Sequence, residues 1–168
     1  TGFATQDFDL WPTLSKTILL LLMFIGACAG STGGGLKVSR IVMLFKSIKR
    51  EIKQMIHPRS VSTVKFEAKR LEEKTVGSVG TYLAVYLVCF ATVFLLISFE
   101  PFSIETNFSA AAACFNNIGP GLDIVGPARN YAEYSDFSKI VLSFAMLLGR
   151  LEIYPLLIFM LPSLWKKD

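Results

Sequence analysis

The sequence predicts an all-α polytopic membrane protein, and three observations support this prediction. Hydrophobic residues make up 52% of the 168-residue chain and charged residues only 18%, with a mean hydropathy of +0.51. Soluble domains carry roughly 25% charged residues, so the composition favours a bilayer. The apolar residues are collected into long runs, and residues 77–99 contain no charged side chain. As a helix, a run of that length crosses a hydrocarbon layer of about 30 Å.

Three apolar segments are predicted to cross the membrane, at residues 17–45, 77–99 and 137–163. The first is too long for one ordinary span, and the glycine-rich stretch from Gly26 to Lys37 interrupts it, so a broken transmembrane helix is expected. The third carries Arg150 and Glu152 at its centre. An ionisable side chain at that depth is costly and marks a functional position by default. For Glu152, an ion pair with another helix is an equally good interpretation.

Basic residues give these segments their expected orientation. Eleven lysines and arginines and four glutamates lie between the first and second segments, at positions 37–74. By the positive-inside rule, residues 46–76 form a basic cytoplasmic segment and residues 164–168, with Lys166 and Lys167, form a cytoplasmic end. Membrane topology explains this charge better than a nucleic-acid patch does, so no nucleic-acid partner is expected.

Residues 100–136 must then begin and end on the outer side of the membrane. Within them a short helix is predicted over 102–116, with Ser103, Thr106 and Asn107 as capping candidates, and the stretch NNIGPG follows it. A helix that is too short to span, breaks and returns to the same side is a re-entrant loop. A surface helix followed by a tight turn remains the alternative.

The same order of features occurs twice along the chain. Gly2 in the sequence TGF and Gly119 in the sequence IGP each precede outer acidic residues and then a spanning segment. Glycine lets backbone carbonyls approach an ion without a side chain in the way, and such carbonyls can replace the hydration shell of a cation. The chain therefore predicts helix, re-entrant pore loop, helix repeats of the potassium-channel type, in one and a half copies.

The stretch GACAGSTGGGLK allows two interpretations once nucleotide binding is excluded. A Walker loop requires lysine and then serine or threonine after its second glycine, whereas leucine follows that glycine here. Gly26, Gly30 and Gly34 have the spacing of a helix-packing face. The three successive glycines at 33–35 favour lost helicity instead, because each costs about 1 kcal/mol relative to alanine in a helix.

Enzymatic chemistry is not expected from the side chains of this sequence. It contains a single histidine, His57, and no paired carboxylates at a plausible site. Its three cysteines, Cys28, Cys89 and Cys114, lack metal-binding spacing and are expected to be buried small hydrophobic residues.

Several motifs together resemble a known family of membrane transporters. The stretch GACAGSTGGGLKV is similar to the interrupted second helix of the third repeat in the Trk, Ktr and HKT family of potassium and sodium transporters. The opening TGFATQDF resembles the filter of that repeat, and NNIGPG with LLGRLEIYPLL resembles the fourth repeat of the bacterial TrkH branch. The family has four such repeats, so the resemblance implies a C-terminal portion. Residues 1–16 would hold the third filter and its outer segment, and residues 100–136 the pore helix and fourth filter.

The resemblance also implies functional residues. The selectivity filter would comprise Thr1, Gly2, Phe3, Asn117, Ile118 and Gly119. An intramembrane gate loop would comprise Gly30, Ser31, Thr32, Gly33, Gly34 and Gly35. Arg150 would face the pore near this loop, where a positive charge raises the barrier to a passing cation. Asn117 and Pro120 depart from the threonine-x-glycine pattern of the family's filters.

The function implied by the resemblance is that of a potassium uptake transporter or channel-like subunit. It would be a multi-pass protein of the bacterial inner (plasma) membrane with a cytoplasmic C-terminus, and channel-like flow and proton or sodium symport both remain open. Potassium would be the transported ligand, with no covalent cofactor. Implied partners are membrane lipid, a second copy in a homodimer, and a cytosolic nucleotide-binding regulatory subunit of the TrkA type that docks on the basic residues between Lys46 and Lys74. The alternative is a non-conducting membrane assembly subunit whose glycines serve helix packing.

Overall fold

The computed structural model describes residues 2–28, 30–31, 33–58, 65–66, 69–70, 73–151 and 153–160. Within these ranges the α-helices are α1 (Thr13–Phe24), α2 (Val38–Ile56), α3 (Glu73–Ile97), α4 (Ile104–Phe115), α5 (Asp136–Arg150) and α6 (Ile153–Met160). Short 3-10 helices lie at Phe8–Leu10, Asp123–Val125 and Tyr131–Glu133. The predicted all-α class is confirmed for the described residues, apart from one antiparallel pair of two-residue strands, β1 (Lys65–Phe66) and β2 (Lys69–Arg70).

Helix α3 has the length and composition of a transmembrane helix. Its segment Thr75–Ile97 is the one described helix that is long and apolar enough to cross a bilayer by itself. Helix α1 is also apolar but shorter. It ends at Phe24, because the glycine-rich stretch begins two residues later.

The segment predicted as a single span over 137–163 contains two helices. Helix α5 ends at Arg150, α6 begins at Ile153, and the two helices are bent by 115°. Pro155 explains a break at this point, because its ring lacks an N–H and would clash with the carbonyl group of Leu151 in a continuous helix. Taken together as one bent span, α5 and α6 are also long and apolar enough to cross a membrane.

The short helix α4 lies at the centre of the described structure. It contacts α1, α3 and α5, and every residue from Ala110 to Phe115 is fully buried. The alanines of this helix let the neighbouring helices approach closely, while aromatic rings pack edge to face along its sides. Phe108 contacts Phe90 and Phe94 of α3, with ring centroids 5.3 and 5.5 Å apart. Such pairs add about 0.5–1.5 kcal/mol beyond the burial of their area.

The start of α4 follows the prediction from its sequence. Ser103 caps the helix, and its hydroxyl oxygen accepts a hydrogen bond from the backbone N–H of Thr106 at 3.1 Å. The Thr106 hydroxyl in turn donates to the carboxylate of Asp123 at 2.6 Å. Asp123 therefore ties the beginning of α4, the predicted pore helix, to the segment that follows the predicted fourth filter.

Helix α2 continues beyond the apolar segment into the basic region. It runs through the predicted boundary at positions 45 and 46 and ends at Ile56. Arg40 in its first turns lies over the Tyr82 ring of α3, with 3.9 Å between the guanidinium carbon and the ring centroid. Further along, the helix carries exposed lysines, together with exposed apolar side chains at Phe45, Ile48, Ile52 and Met55.

Candidate filter and glycine loop

The pore helix α4 ends in a Schellman motif at Asn117. The N–H of Ile118 donates to the carbonyl of Ala113 at 2.9 Å, and the N–H of Asn117 donates to the carbonyl of Cys114 at 3.1 Å. Asn117 has a φ of 57°, the left-handed conformation that this motif requires. Asparagine adopts it more readily than other side chains do. Asn117 therefore ends the helix, and the rest of the predicted fourth filter, Ile118 and Gly119, follows it.

The two predicted filter segments lie side by side. A Cβ atom built on Gly2 would lie 3.2 Å from Cδ of Pro120 and 3.3 Å from the carbonyl oxygen of Ile118. One built on Gly119 would lie 3.7 Å from Cα of Gly2. Both glycines have positive φ, 75° for Gly2 and 108° for Gly119, which favours glycine over any other residue. The fold thus brings together segments that are more than 100 positions apart.

A cavity of about 500 Å³ opens beside these two segments. Gly2, Phe3, Asn117, Ile118 and Pro120 line it, together with residues of α1. Phe3 itself is 95% exposed. The filter residues thus border an open space on one side and the buried pore helix on the other.

The glycine stretch between α1 and α2 is not helical. It closes on itself at its base, where Ile25 and Leu36 form a parallel bridge and the N–H of Gly26 donates to the Leu36 carbonyl at 2.8 Å. Gly30 and Gly35 have φ values of 82° and 80°. These conformations are incompatible with a helix, so the helix-packing interpretation of the glycine spacing does not fit the described loop.

The glycine loop is seated directly against the end of the pore helix. A Cβ atom on Gly34 would lie 2.6 Å from the carbonyl oxygen of Asn116 and 2.9 Å from Nδ2 of Asn117. A Cβ atom on Gly35 would lie 3.1 Å from Oδ1 of Asn116. The same Asn116 oxygen accepts a 2.5 Å hydrogen bond from the Tyr86 hydroxyl of α3. Only glycine permits so close an approach of the loop to the backbone below the filter.

Helix α5 reaches the same point from the other side. A Cβ atom on Gly149 would lie 1.8 Å from the carbonyl oxygen of Phe115 and 2.8 Å from Nδ2 of Asn117. That amide group donates to the carbonyl of Met146 at 3.1 Å. Asn117 therefore links the pore helix, the glycine loop and α5. Arg150, the last residue of α5, directly follows Gly149 and has an exposed side chain.

The carbonyl group of Gly119 has a side-chain partner. The Tyr131 hydroxyl donates to it at 2.7 Å. Burial raises the pKa of this hydroxyl, so it stays protonated and remains a donor at neutral pH. The carbonyl of Gly119, which the resemblance assigns to the filter, thus has a protein donor in this structure.

The outer acidic residues serve local structure as well as overall charge. Glu100 accepts hydrogen bonds from the hydroxyls of Ser135 and Ser138 at the start of α5, the latter at 2.6 Å. The bond from Ser135 and then that from Ser138 lower the pKa of the Glu100 carboxyl. Asp9 accepts from the N–H of Asp123 at 3.0 Å, which joins the segment before α1 to the segment after the fourth filter.

Most of the predicted site residues converge around Asn117, and four predictions fall outside the described residues. Those four concern Thr1 of the filter, Thr32 of the loop, Glu152 and the cytoplasmic end at residues 164–168. Ser31 lies in the loop, where its hydroxyl accepts from the N–H of Gly33 at 3.2 Å. The expectation of three buried cysteines is confirmed for Cys114 only. Cys89 is half-buried, and Cys28 is exposed because it lies in the loop and not in a helix.

Sequence reasoning missed three residues that complete the site. The glycine loop packs against Asn116, and Gly149 is the point where α5 contacts the end of α4. Tyr131 donates to the Gly119 carbonyl. A local signal existed only for Gly149, since an isolated glycine in an apolar helix often marks close backbone packing. The roles of Asn116 and Tyr131 depend on contacts between distant segments.

Comparison with known proteins identifies one family over nearly the whole chain. The profile of the TrkH family, described as cation transport protein, matches residues 1–167. The chain is 41% identical to the Trk system potassium uptake protein TrkH of Vibrio parahaemolyticus over 165 residues, 98% of this chain and 34% of that protein. It is 38% identical to the protein of the same name from Escherichia coli K12 over 166 residues, 99% of this chain and 34% of that protein.

The solved structures agree with this comparison. The crystal structure of the potassium transporter TrkH from Vibrio parahaemolyticus superimposes with a TM-score of 0.87 and 41% identity, over 98% of this chain and 35% of that chain. The chain thus spans about a third of the length of the relatives that it matches.

Proposed function

The chain belongs to the TrkH family of cation transport proteins, and from this premise we propose that it forms the filter-and-gate portion of a potassium uptake transporter. Gly2 and Phe3 would contribute the third filter segment and Asn117, Ile118 and Gly119 the fourth, with Thr1 preceding Gly2 as a further filter residue. Backbone carbonyls of these segments, apart from the Gly119 carbonyl that accepts from Tyr131, would replace part of the hydration shell of K⁺. No covalent chemistry is involved, and K⁺ is the transported ligand.

The close packing of the glycine loop against the end of α4 is the observation that carries this proposal. Gly34 and Gly35 lie against Asn116 and Asn117, at the end of the pore helix where the fourth filter begins. A loop in that position obstructs the path of an ion that has passed the filter. Its backbone has few helical hydrogen bonds to break, so displacement from the seat would open the path. Residues 30–35 therefore act as the gate, with Thr32 among them.

Arg150 adds an electrostatic barrier to this gate. Arg150 directly follows Gly149. A Cβ atom on Gly149 would lie 2.8 Å from Nδ2 of Asn117, and a Cβ atom on Gly34 would lie 2.9 Å from the same nitrogen. The loop and the end of α5 thus meet at one residue. A guanidinium group near the exit of the filter opposes a cation while the loop is seated.

The complete transporter would contain more than this chain. The relatives named Trk system potassium uptake proteins are about three times as long, which supports a four-repeat pore of which this chain supplies the third filter and the fourth repeat. We place it in the bacterial inner membrane as a multi-pass homodimer with its C-terminus in the cytoplasm. The Trk system name supports a complex with a cytosolic nucleotide-binding subunit, and exposed lysines of α2 such as Lys49 and Lys53 are its proposed docking face.

Ion flux in reconstituted vesicles tests the proposed function. The complete transporter that carries this segment should take up ⁸⁶Rb⁺ into K⁺-loaded proteoliposomes, and external K⁺ should compete with it. Empty vesicles are the control. Correctly inserted protein without such flux would instead favour the non-conducting assembly subunit. Co-purification of the regulatory subunit with a Lys49→Glu, Lys53→Glu variant tests the docking face, and unchanged binding would exclude it.

A further inference from the structure

Two tyrosines of the outer segment form a bracket behind the fourth filter. Tyr131 belongs to the 3-10 helix Tyr131–Glu133, and Tyr134 directly follows it. Their ring centroids are 6.0 Å apart. The Tyr134 ring also packs edge to face on Phe102, with centroids 4.9 Å apart. The pair therefore connects the outer segment to the region around the pore helix.

The two hydroxyl groups of this bracket have different partners. The Tyr134 hydroxyl donates to Oδ1 of Asn107 on the pore helix, at 2.9 Å. The Tyr131 hydroxyl donates to the filter itself, to the carbonyl oxygen of Gly119 at 2.7 Å, and it also contacts the thiol of the buried Cys114. Tyr134 thus bonds the bracket to the pore helix, and Tyr131 bonds the filter to the bracket.

Neighbouring carbonyls of the fourth filter consequently have different environments. The carbonyl oxygen of Ile118 lies 3.3 Å from the Cβ position of Gly2, so it lies against the neighbouring filter segment. The carbonyl of Gly119 is directed at Tyr131. The direction of this carbonyl depends on the ψ angle of Gly119, and glycine varies its backbone angles more freely than any other residue does. The same freedom means that the backbone of Gly119 does not hold this orientation by itself.

We propose that Tyr131 is a positioning residue for cation selectivity, whose hydroxyl holds the Gly119 carbonyl away from the ion path. This inference rests on the proposed transport function. Discrimination between K⁺ and Na⁺ depends on the number and placement of coordinating carbonyls. A carbonyl released from Tyr131 can rotate towards the ion path, and it then alters that coordination.

Removal of the hydroxyl group tests the role of Tyr131. The complete transporter with Tyr131→Phe is reconstituted in proteoliposomes, and the ratio of K⁺ flux to Na⁺ flux is compared with that of the wild type. Loss of one hydrogen bond should lower this ratio about five-fold. Tyr134→Phe is the matched control, because it removes a hydroxyl of the same bracket without freeing a filter carbonyl. Its ratio should stay within about two-fold of the wild type.

The control also separates selectivity from general stability. Tyr134 is 2% exposed and more deeply buried than Tyr131, so a merely structural effect would be larger for Tyr134→Phe. An unchanged flux ratio in Tyr131→Phe, or an equal fall in both variants, overturns the inference while the proposed function stands. Wild-type protein that carries no cation refutes the proposed function and the inference with it.

A second variant keeps the test decisive if Tyr131→Phe does not fold. Ring-fluorinated tyrosine at position 131 preserves the size of the side chain and makes the hydroxyl a stronger donor. Because the donor is retained, this variant should keep the wild-type flux ratio or raise it. A ratio that falls about five-fold although the donor is retained overturns the inference.

Discussion

Substitution of Gly34 by alanine tests whether the glycine loop is a gate. The added Cβ atom would lie 2.6 Å from the carbonyl oxygen of Asn116 and 2.9 Å from its carbonyl carbon, both of which are backbone atoms. Overpacking of this kind typically costs about 1–3 kcal/mol. If that cost falls on the seated state alone, the equilibrium between seated and displaced loop shifts by about 5- to 150-fold. Cation flux should rise accordingly, up to the limit of a fully displaced loop.

The loop should yield to this clash, because its partner is held more firmly. Asn116 is 4% exposed, and its side chain is fixed by hydrogen bonds with the Tyr86 hydroxyl at 2.5 Å and the Ala112 carbonyl at 2.9 Å. The loop is anchored mainly at its base, where Gly26 and Leu36 are hydrogen bonded. The filter should therefore keep its geometry, and the ratio of K⁺ to Na⁺ flux should remain that of the wild type.

The assay is ⁸⁶Rb⁺ uptake into proteoliposomes, normalised to the amount of folded, inserted protein. Gly80→Ala is the matched control, because no described atom beyond its chain neighbours and the adjacent backbone of α3 lies within 4 Å of its Cβ position. Alanine there should leave the flux unchanged and stabilise the helix by up to about 1 kcal/mol. Flux that falls or stays constant in Gly34→Ala, with selectivity and folding intact, would refute the gate. The glycines would then serve close packing only.

Three further predictions concern residues around the same site. Arg150→Ala should raise cation flux severalfold without changing selectivity, since it removes a positive charge from the exit path; unchanged single-channel or vesicle flux would exclude that role. Gly149→Ala should destabilise the protein by about 3 kcal/mol or more, because its Cβ would lie 1.8 Å from the Phe115 carbonyl oxygen; a thermal melting temperature equal to that of Gly80→Ala would contradict this contact. The stabilisation that Glu100 contributes, through its lowered pKa, should be complete above its usual value of 4.5 and lost as the pH falls through the folded-state pKa. The melting temperatures of the wild type and Glu100→Gln should therefore converge on acidification, and a gap that is independent of pH would show that ionisation of Glu100 does not contribute.

Local sequence patterns predicted the elements of this protein well. The uncharged run at residues 77–99 overlaps the long helix over Thr75–Ile97, because a bilayer-spanning helix requires such a run in any context. Ser103 caps the pore helix as its position suggested, because the hydroxyl satisfies an N–H three residues away. Consecutive glycines ended α1 and left a loop. Each of these features depends on neighbours within a few positions of the chain.

Tertiary structure alone decided how these elements make a site. Gly34 and Gly149 are more than 100 positions apart, yet their Cβ positions lie 2.9 and 2.8 Å from one nitrogen of Asn117. Tyr131 acquired its role because the chain after the filter returns to the Gly119 carbonyl. Hydrophobic periodicity records which face of a segment is apolar, but it does not record which distant backbone group will lie against that face. The sequence therefore determined the long apolar helix, the capped short helix and the glycine break, and the packing of distant segments determined how the loop, residues 117–119 and α5 lie together.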